Sequence, residues 1–107
     1  LTNNNYHTQI ELFQNFPNPF IPDNDKRGQG TEIGFYLTPS TRSDLAIYNL
    51  KGELIRKFED SYPQNSAYRT VNWNGRDRNG NIVPAGVYLY QLKTDGRSIT
   101  RKMVILP

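Results

Sequence analysis

The chain predicts an all-β fold, an Ig-like β-sandwich of about seven antiparallel strands. Three observations carry this. Short stretches alternate apolar and polar residues with a period of two, and turn signals separate them roughly every ten residues. Alanine occurs only at Ala46, Ala67 and Ala85, and no stretch sustains helical periodicity. Aromatic residues make up 12% of the 107 residues, a composition that suits half-buried strands.

Each element follows in order. Residues 1–8 are polar and Asn-rich and are read as a linker remnant; residues 9–107 form the domain. The first residue is Leu1, so the chain is expected to be a piece of a longer protein. Gln9–Phe13 alternates through Ile10 and Leu12 as a first, edge-type strand. Phe16-Pro17-Asn18-Pro19-Phe20-Ile21-Pro22 then holds three prolines, which bar it from a central ladder and favour extended or turn backbone. Phe16 and Phe20 are expected to pin this segment to the sandwich. Asp23–Gly30 reads as an exposed loop.

Thr31–Leu37 places Ile33, Phe35 and Leu37 on one face and is ended by Pro39-Ser40. Asp44–Leu50 aligns Leu45 and Ile47, and Asn49-Leu50-Lys51-Gly52 turns the chain. In Glu53–Glu59 the apolar residues Ile55 and Phe58 are three apart, which breaks the period of two and predicts a bulge. After a loop over Ser61–Ala67, Tyr68–Trp73 carries Val71 and Trp73 on one face. A turn at Asn79-Gly80 precedes the strand Gly86–Lys93, Asp95-Gly96 turns again, and Arg97–Leu106 closes the domain. The inward set is Ile33, Phe35, Leu37, Leu45, Ile47, Ile55, Phe58, Val71, Trp73, Leu92, Met103 and Ile105 with parts of Tyr88 and Tyr90, whose hydroxyls are placed at the rim. It amounts to one core, and Trp73 is its anchor.

Composition excludes several functions. Without cysteine there is no disulfide staple and no thiolate metal site. The net charge of +3 is spread among interspersed acids without a run of like charges, so no nucleic-acid partner is implied. No apolar run is long enough for a transmembrane segment or a signal peptide.

No catalytic constellation stands out, and the expectation is a domain that is not an enzyme, with no cofactor and no metal. Asp77, Asn79 and Asn81 offer oxygens at alternate positions, as a calcium loop begins, but Ile82 stands where that loop needs glycine and Tyr88 where it needs glutamate. Asp77 and Gly80 are therefore assigned to an Asn-Gly turn, and Asp23-Asn24-Asp25 to a solvated loop. His7, the single histidine, lies in the polar tail. Glu11, Glu32, Glu53 and Glu59 are expected to face solvent. Tyr36, Tyr48, Tyr62, Tyr68, Tyr88 and Tyr90 allow a carbohydrate platform or, on the blander reading, core packing. Arg42, Arg56, Lys57, Arg69, Arg76 and Arg78 allow a basic face or a solvated sheet surface.

Several motifs together resemble the type A C-terminal sorting domain of bacterial type IX (Por) secretion and the related Ig-like domain of the flagellar hook-capping protein. They are Gln14-Asn15-Phe16-Pro17-Asn18-Pro19-Phe20, Ile47-Tyr48-Asn49 with Gly52 and Ile55, Trp73-Asn74-Gly75-Arg76-Asp77 with Gly80 and Val83, Gly86-Val87-Tyr88 with Tyr90, and Arg101-Lys102-Met103 with the apolar tail. The block from Trp73 to Tyr90 is shared widely; the Asn-Pro-Phe segment with a Lys-Met terminal strand is closer to the sorting pattern. Two departures are a longer loop after Phe20 and a terminal Pro107 instead of lysine.

The resemblance implies a C-terminal domain of a secreted bacterial protein, joined to a cargo N-terminal to it. Outer-membrane secretion machinery would recognise it after export to the periplasm, placing the product outside the cell or at its surface. It implies Gly86, Tyr88, Arg101, Lys102, Met103 and Ile105 as recognition residues. It assigns Pro17, Asn18, Pro19, Phe20, Trp73, Asp77 and Gly80 to the structural motif. Capture of a terminal strand with free backbone groups is the physical mechanism expected. The alternatives are a structural or adhesive assembly module of the hook-capping type, or an accessory carbohydrate-binding domain.

Overall fold

A computed structural model describes residues 9–22, 30–38, 41–59 and 67–107. The expected linker at 1–8 lies outside these residues. So do His7, Tyr62, Asp23-Asn24-Asp25, Pro39-Ser40 and most of the two long loops. Seven strands are present: β1 Ile10–Leu12, β2 Thr31–Leu37, β3 Asp44–Tyr48, β4 Leu54–Glu59, β5 Tyr68–Trp73, β6 Gly86–Thr94 and β7 Arg97–Ile105. They form a three-stranded sheet in the order β1-β2-β5 and a four-stranded sheet in the order β4-β3-β6-β7. Every paired strand is antiparallel, as an Ig-like sandwich requires.

Alternation builds the core between the sheets. Ile33, Phe35 and Leu37 of β2 face Leu45 and Ile47 of β3, Tyr88, Tyr90 and Leu92 of β6, and Met103 and Ile105 of β7, around a fully buried Trp73. Burying side chains of this size contributes roughly 1.5–3 kcal/mol each. Ile55, Phe58 and Val71 pack against this cluster from partly buried positions. The broken period in β4 is a bulge: Ile47 pairs with Arg56 and Tyr48 with Leu54, leaving Ile55 as the extra residue. The β3–β4 turn is held by Asn49, whose Oδ1 accepts from Lys51 N and Glu53 N, both at 2.9 Å.

Two expectations are corrected. Phe16 is 78% exposed and pins nothing with its ring; its backbone instead exchanges hydrogen bonds with Glu32. Arg69 does not belong to a solvated face. It is an inward residue of β5 opposite Phe35, buried, and its Nη1 donates to the Thr41 carbonyl at 3.2 Å. Arg56 is half-buried, with its guanidinium 4.6 Å from the Phe58 ring centre, so aromatic contact offsets its partial loss of water.

Candidate recognition surface

The segment Gln14–Phe20 lies along the outer edge of β7. In an antiparallel ladder alternate residues of an edge strand direct both backbone groups away from their partner. From the Lys102 carbonyl onward, four of those groups are already used. Gln14 Nε2 donates to the Lys102 carbonyl at 2.9 Å, and Val104 N donates to Asn18 Oδ1 at 2.9 Å. Phe20 N donates to the Val104 carbonyl and Leu106 N to the Phe20 carbonyl, both at 2.9 Å. The expectation of a terminal strand with free backbone groups therefore does not hold here, because a segment more than eighty residues away in sequence covers them.

Two anchors position the cover. Phe20 is buried in the core, close to Gly75, whose φ of +80° and lack of a side chain let the chain pass: a Cβ there would lie 3.1 Å from the Phe20 ring and 2.6 Å from Pro22. Asn15 is buried and fully engaged. Its Nδ2 donates to Thr31 Oγ1 at 2.9 Å and to the Pro17 carbonyl at 3.3 Å, and its Oδ1 accepts from Gln14 Nε2 at 2.7 Å. Between the anchors, Phe16, Pro17, Asn18 and Pro19 are exposed, and the peptide bonds Phe16-Pro17 and Asn18-Pro19 are cis.

Tyr90 ties this segment to β6. Its hydroxyl donates to the Phe13 carbonyl at 2.7 Å and accepts from Asn15 N at 3.0 Å. That hydroxyl is inside the domain and not at the rim. Burial raises the Tyr90 pKa above 10.0, opposed by the hydrogen bond from Asn15 and the charge of Arg101; burial raises that of Tyr88 as well. A phenol whose folded-state pKa is raised is stabilising below its unfolded value and loses that contribution as pH rises through the folded value. Stability is thus expected to hold up to about pH 10 and to fall above it. Replacing Tyr90 with Phe should flatten part of that fall and cost about 1–3 kcal/mol in urea denaturation, since Asn15 N and the Phe13 carbonyl lose their partner. An unchanged midpoint would show that water replaces the hydroxyl.

The residues singled out for recognition separate into three groups. Tyr88, Met103 and Ile105 are buried in the core, and Tyr88 donates to the Pro84 carbonyl at 2.6 Å. Arg101 is exposed yet engaged, since its Nε donates to the Leu12 carbonyl at 2.6 Å and bridges the two sheets. Lys102 is exposed and pairs across the outer face with Leu89; Gly86, Leu106 and Pro107 are also exposed. Gly86 begins β6 at φ +153°, backbone that other residues rarely adopt.

Trp73 and Asp77 organise the adjoining loop. Trp73 Nε1 donates to the Arg76 carbonyl at 2.8 Å, and its ring meets Tyr88 edge-on. Asp77 Oδ1 accepts from Asn79 N at 2.9 Å and Asn81 N at 3.0 Å, while Gly80, at φ +88°, donates to the Asp77 carbonyl. The Asp77 carboxylate is thereby spent on an Asx turn. Among the described residues no group of three or more His, Asp or Glu is placed to hold a metal ion, and no helix is long and apolar enough to cross a membrane.

Gln14 and Asn15 belong to this site, although the sequence discloses them only as members of a motif. Their roles depend on contacts 75 to 88 residues distant, which no local pattern reports.

Comparison with known proteins agrees with this architecture. The family described as the FlgD Ig-like domain matches residues 23–98. Among solved structures, PorZ of Porphyromonas gingivalis, described as an essential surface component of the type IX secretion system, superposes with a TM-score of 0.60 at 20% identity, over 92% of this chain and 11% of its own. Dimeric latent PorU from the same bacterium gives 0.72 at 15% identity, over 99% and 10%. FlgD from Pseudomonas aeruginosa (P. aeruginosa) gives 0.53 at 24% identity, over 68% and 57%. The chain thus spans only a small part of the first two and about half of the third. No curated protein matches the chain.

Proposed function

Because the chain belongs to the FlgD Ig-like domain family, whose match covers residues 23–98, we propose that it is a non-catalytic recognition module of the sorting type. In this reading it carries a protein joined to its N-terminus through type IX secretion to the cell surface. One observation carries the finer reading. The two segments that bring the chain closest to the sorting pattern, Gln14–Phe20 and Arg101–Leu106, lie wholly outside the family match, yet they meet and hydrogen-bond to each other. They form one surface along the outer edge of β7. The fold likeness to PorZ, itself a surface component of that system, supports this assignment.

The outer-membrane secretion machinery would read side chains here before backbone. Lys102, Leu106 and Pro107 project from the covered edge, while Tyr88, Met103 and Ile105 hold β6 and β7 in register from inside. Arg101 fixes β7 against β1 and is a positioning residue in this scheme.

An assembly module of the hook-capping type is the second reading, favoured by the family match and the likeness to FlgD. The two separate in a type IX-competent bacterium carrying residues 1–107 fused behind a periplasmic reporter. Delivery of the reporter to the surface is expected; retention in the periplasm would favour the assembly reading.

A further inference from the structure

The cover on β7 is uneven. At Val104 and Leu106 it includes a reciprocal backbone pair around buried Phe20. At the Lys102 carbonyl and the Val104 N–H it consists of two side chains, Gln14 and Asn18, each making one solvent-exposed hydrogen bond to a β7 backbone group. Those bonds occupy one acceptor, the Lys102 carbonyl, and one donor, Val104 N–H, on alternate residues. This is the pattern that an added strand would satisfy with its own backbone. Exposed hydrogen bonds exchange readily with water or a competitor, because their net contribution is small.

We propose that Lys102–Val104 is a docking edge for an extended segment of the secretion machinery, and that Gln14 and Asn18 are placeholders which that segment displaces. The inference rests on the sorting reading and adds how its site is controlled. Before capture, the placeholders satisfy the edge and keep it from pairing with other chains, the hazard of any bare edge strand. Phe20 and Asn15, both buried, keep the segment attached at each end, so exchange of the two side chains leaves the sandwich intact. Lys102, exposed beside the opened edge, gives an acidic incoming strand its register.

Hydrogen exchange on the isolated domain tests the placeholder. In the intact domain the Val104 amide should exchange by local opening, faster than amides of the central β3–β6 ladder. Asn18→Ala should speed it by a further two- to tenfold, about the worth of one hydrogen bond, and leave the β3–β6 amides unchanged. Gln14→Ala, which removes the neighbouring bond, should act in the same direction. If Val104 exchanges only at the rate of global unfolding, or if Asn18→Ala speeds all amides equally, the placeholder assignment is overturned.

The reporter fusion tests its use. Asn18→Ala should raise the rate of surface delivery, since the docking edge opens more often. A lower or unchanged rate overturns the docking role. An intact fusion that never leaves the periplasm refutes the sorting reading and docking by this machinery, while hydrogen exchange still decides whether the edge opens locally.

Discussion

Replacing Trp73 with alanine is expected to destabilise the domain by about 3–5 kcal/mol, the range for removing a large buried aromatic. The ring is fully buried between the sheets and contacts Tyr88 with ring centres 6.2 Å apart. Its indole N–H also satisfies the Arg76 carbonyl, so the substitution creates a cavity and strips a loop of its tether. Domains of this kind have total stabilities of about 5–15 kcal/mol, and the loss is a large share of that. Urea denaturation followed by circular dichroism checks it. A shift under about 1 kcal/mol would mean that Trp73 is not the anchor assigned to it.

Replacing Phe20 with alanine is expected to cost a similar amount, about 3–5 kcal/mol, for two combined reasons. The ring is buried, and its backbone makes the reciprocal pair that holds Val104 and Leu106. Without the ring the chain has little reason to stay against β7, so protection of the Leu106 amide should fall together with stability. Phe16→Ala is the built-in contrast. The same residue type stands four positions earlier in the same motif but is exposed, and its loss should stay within about 0.5 kcal/mol. Equal effects at the two positions would contradict the placement of both.

The contrast between Phe16 and Phe20 also marks the limit of what the sequence discloses. Strands are legible because alternation is local: Ile33, Phe35 and Leu37 declare an inward face without reference to any partner, and the Ile55 bulge appears as a broken period. Phe16 and Phe20 look alike in sequence because what separates them is tertiary. One sits where the backbone pairs with Glu32 of β2 and the other where Gly75 leaves room for a ring. Arg69 misleads for the same reason. An arginine on a strand reads as outward until the register places it opposite Phe35, with the Thr41 carbonyl within reach of its guanidinium. The free terminal edge is misread because the groups that cover it come from the other end of the domain. A motif can name Asn18, but only the fold shows that its side chain takes the place of a neighbouring strand.

These corrections change how recognition must be tested. Removing residues 102–107 would delete Met103 and Ile105 from the core and unfold the domain, so loss of secretion would carry no information about recognition. A surface substitution avoids this. The most direct measurement is the fraction of reporter reaching the cell surface for the intact fusion and for Lys102→Glu, with circular dichroism confirming that both remain folded. Efficient delivery of the first and a severalfold loss for the second are expected, because the substitution reverses the exposed charge beside the covered edge. Equal delivery of the two would contradict a terminal strand read through Lys102.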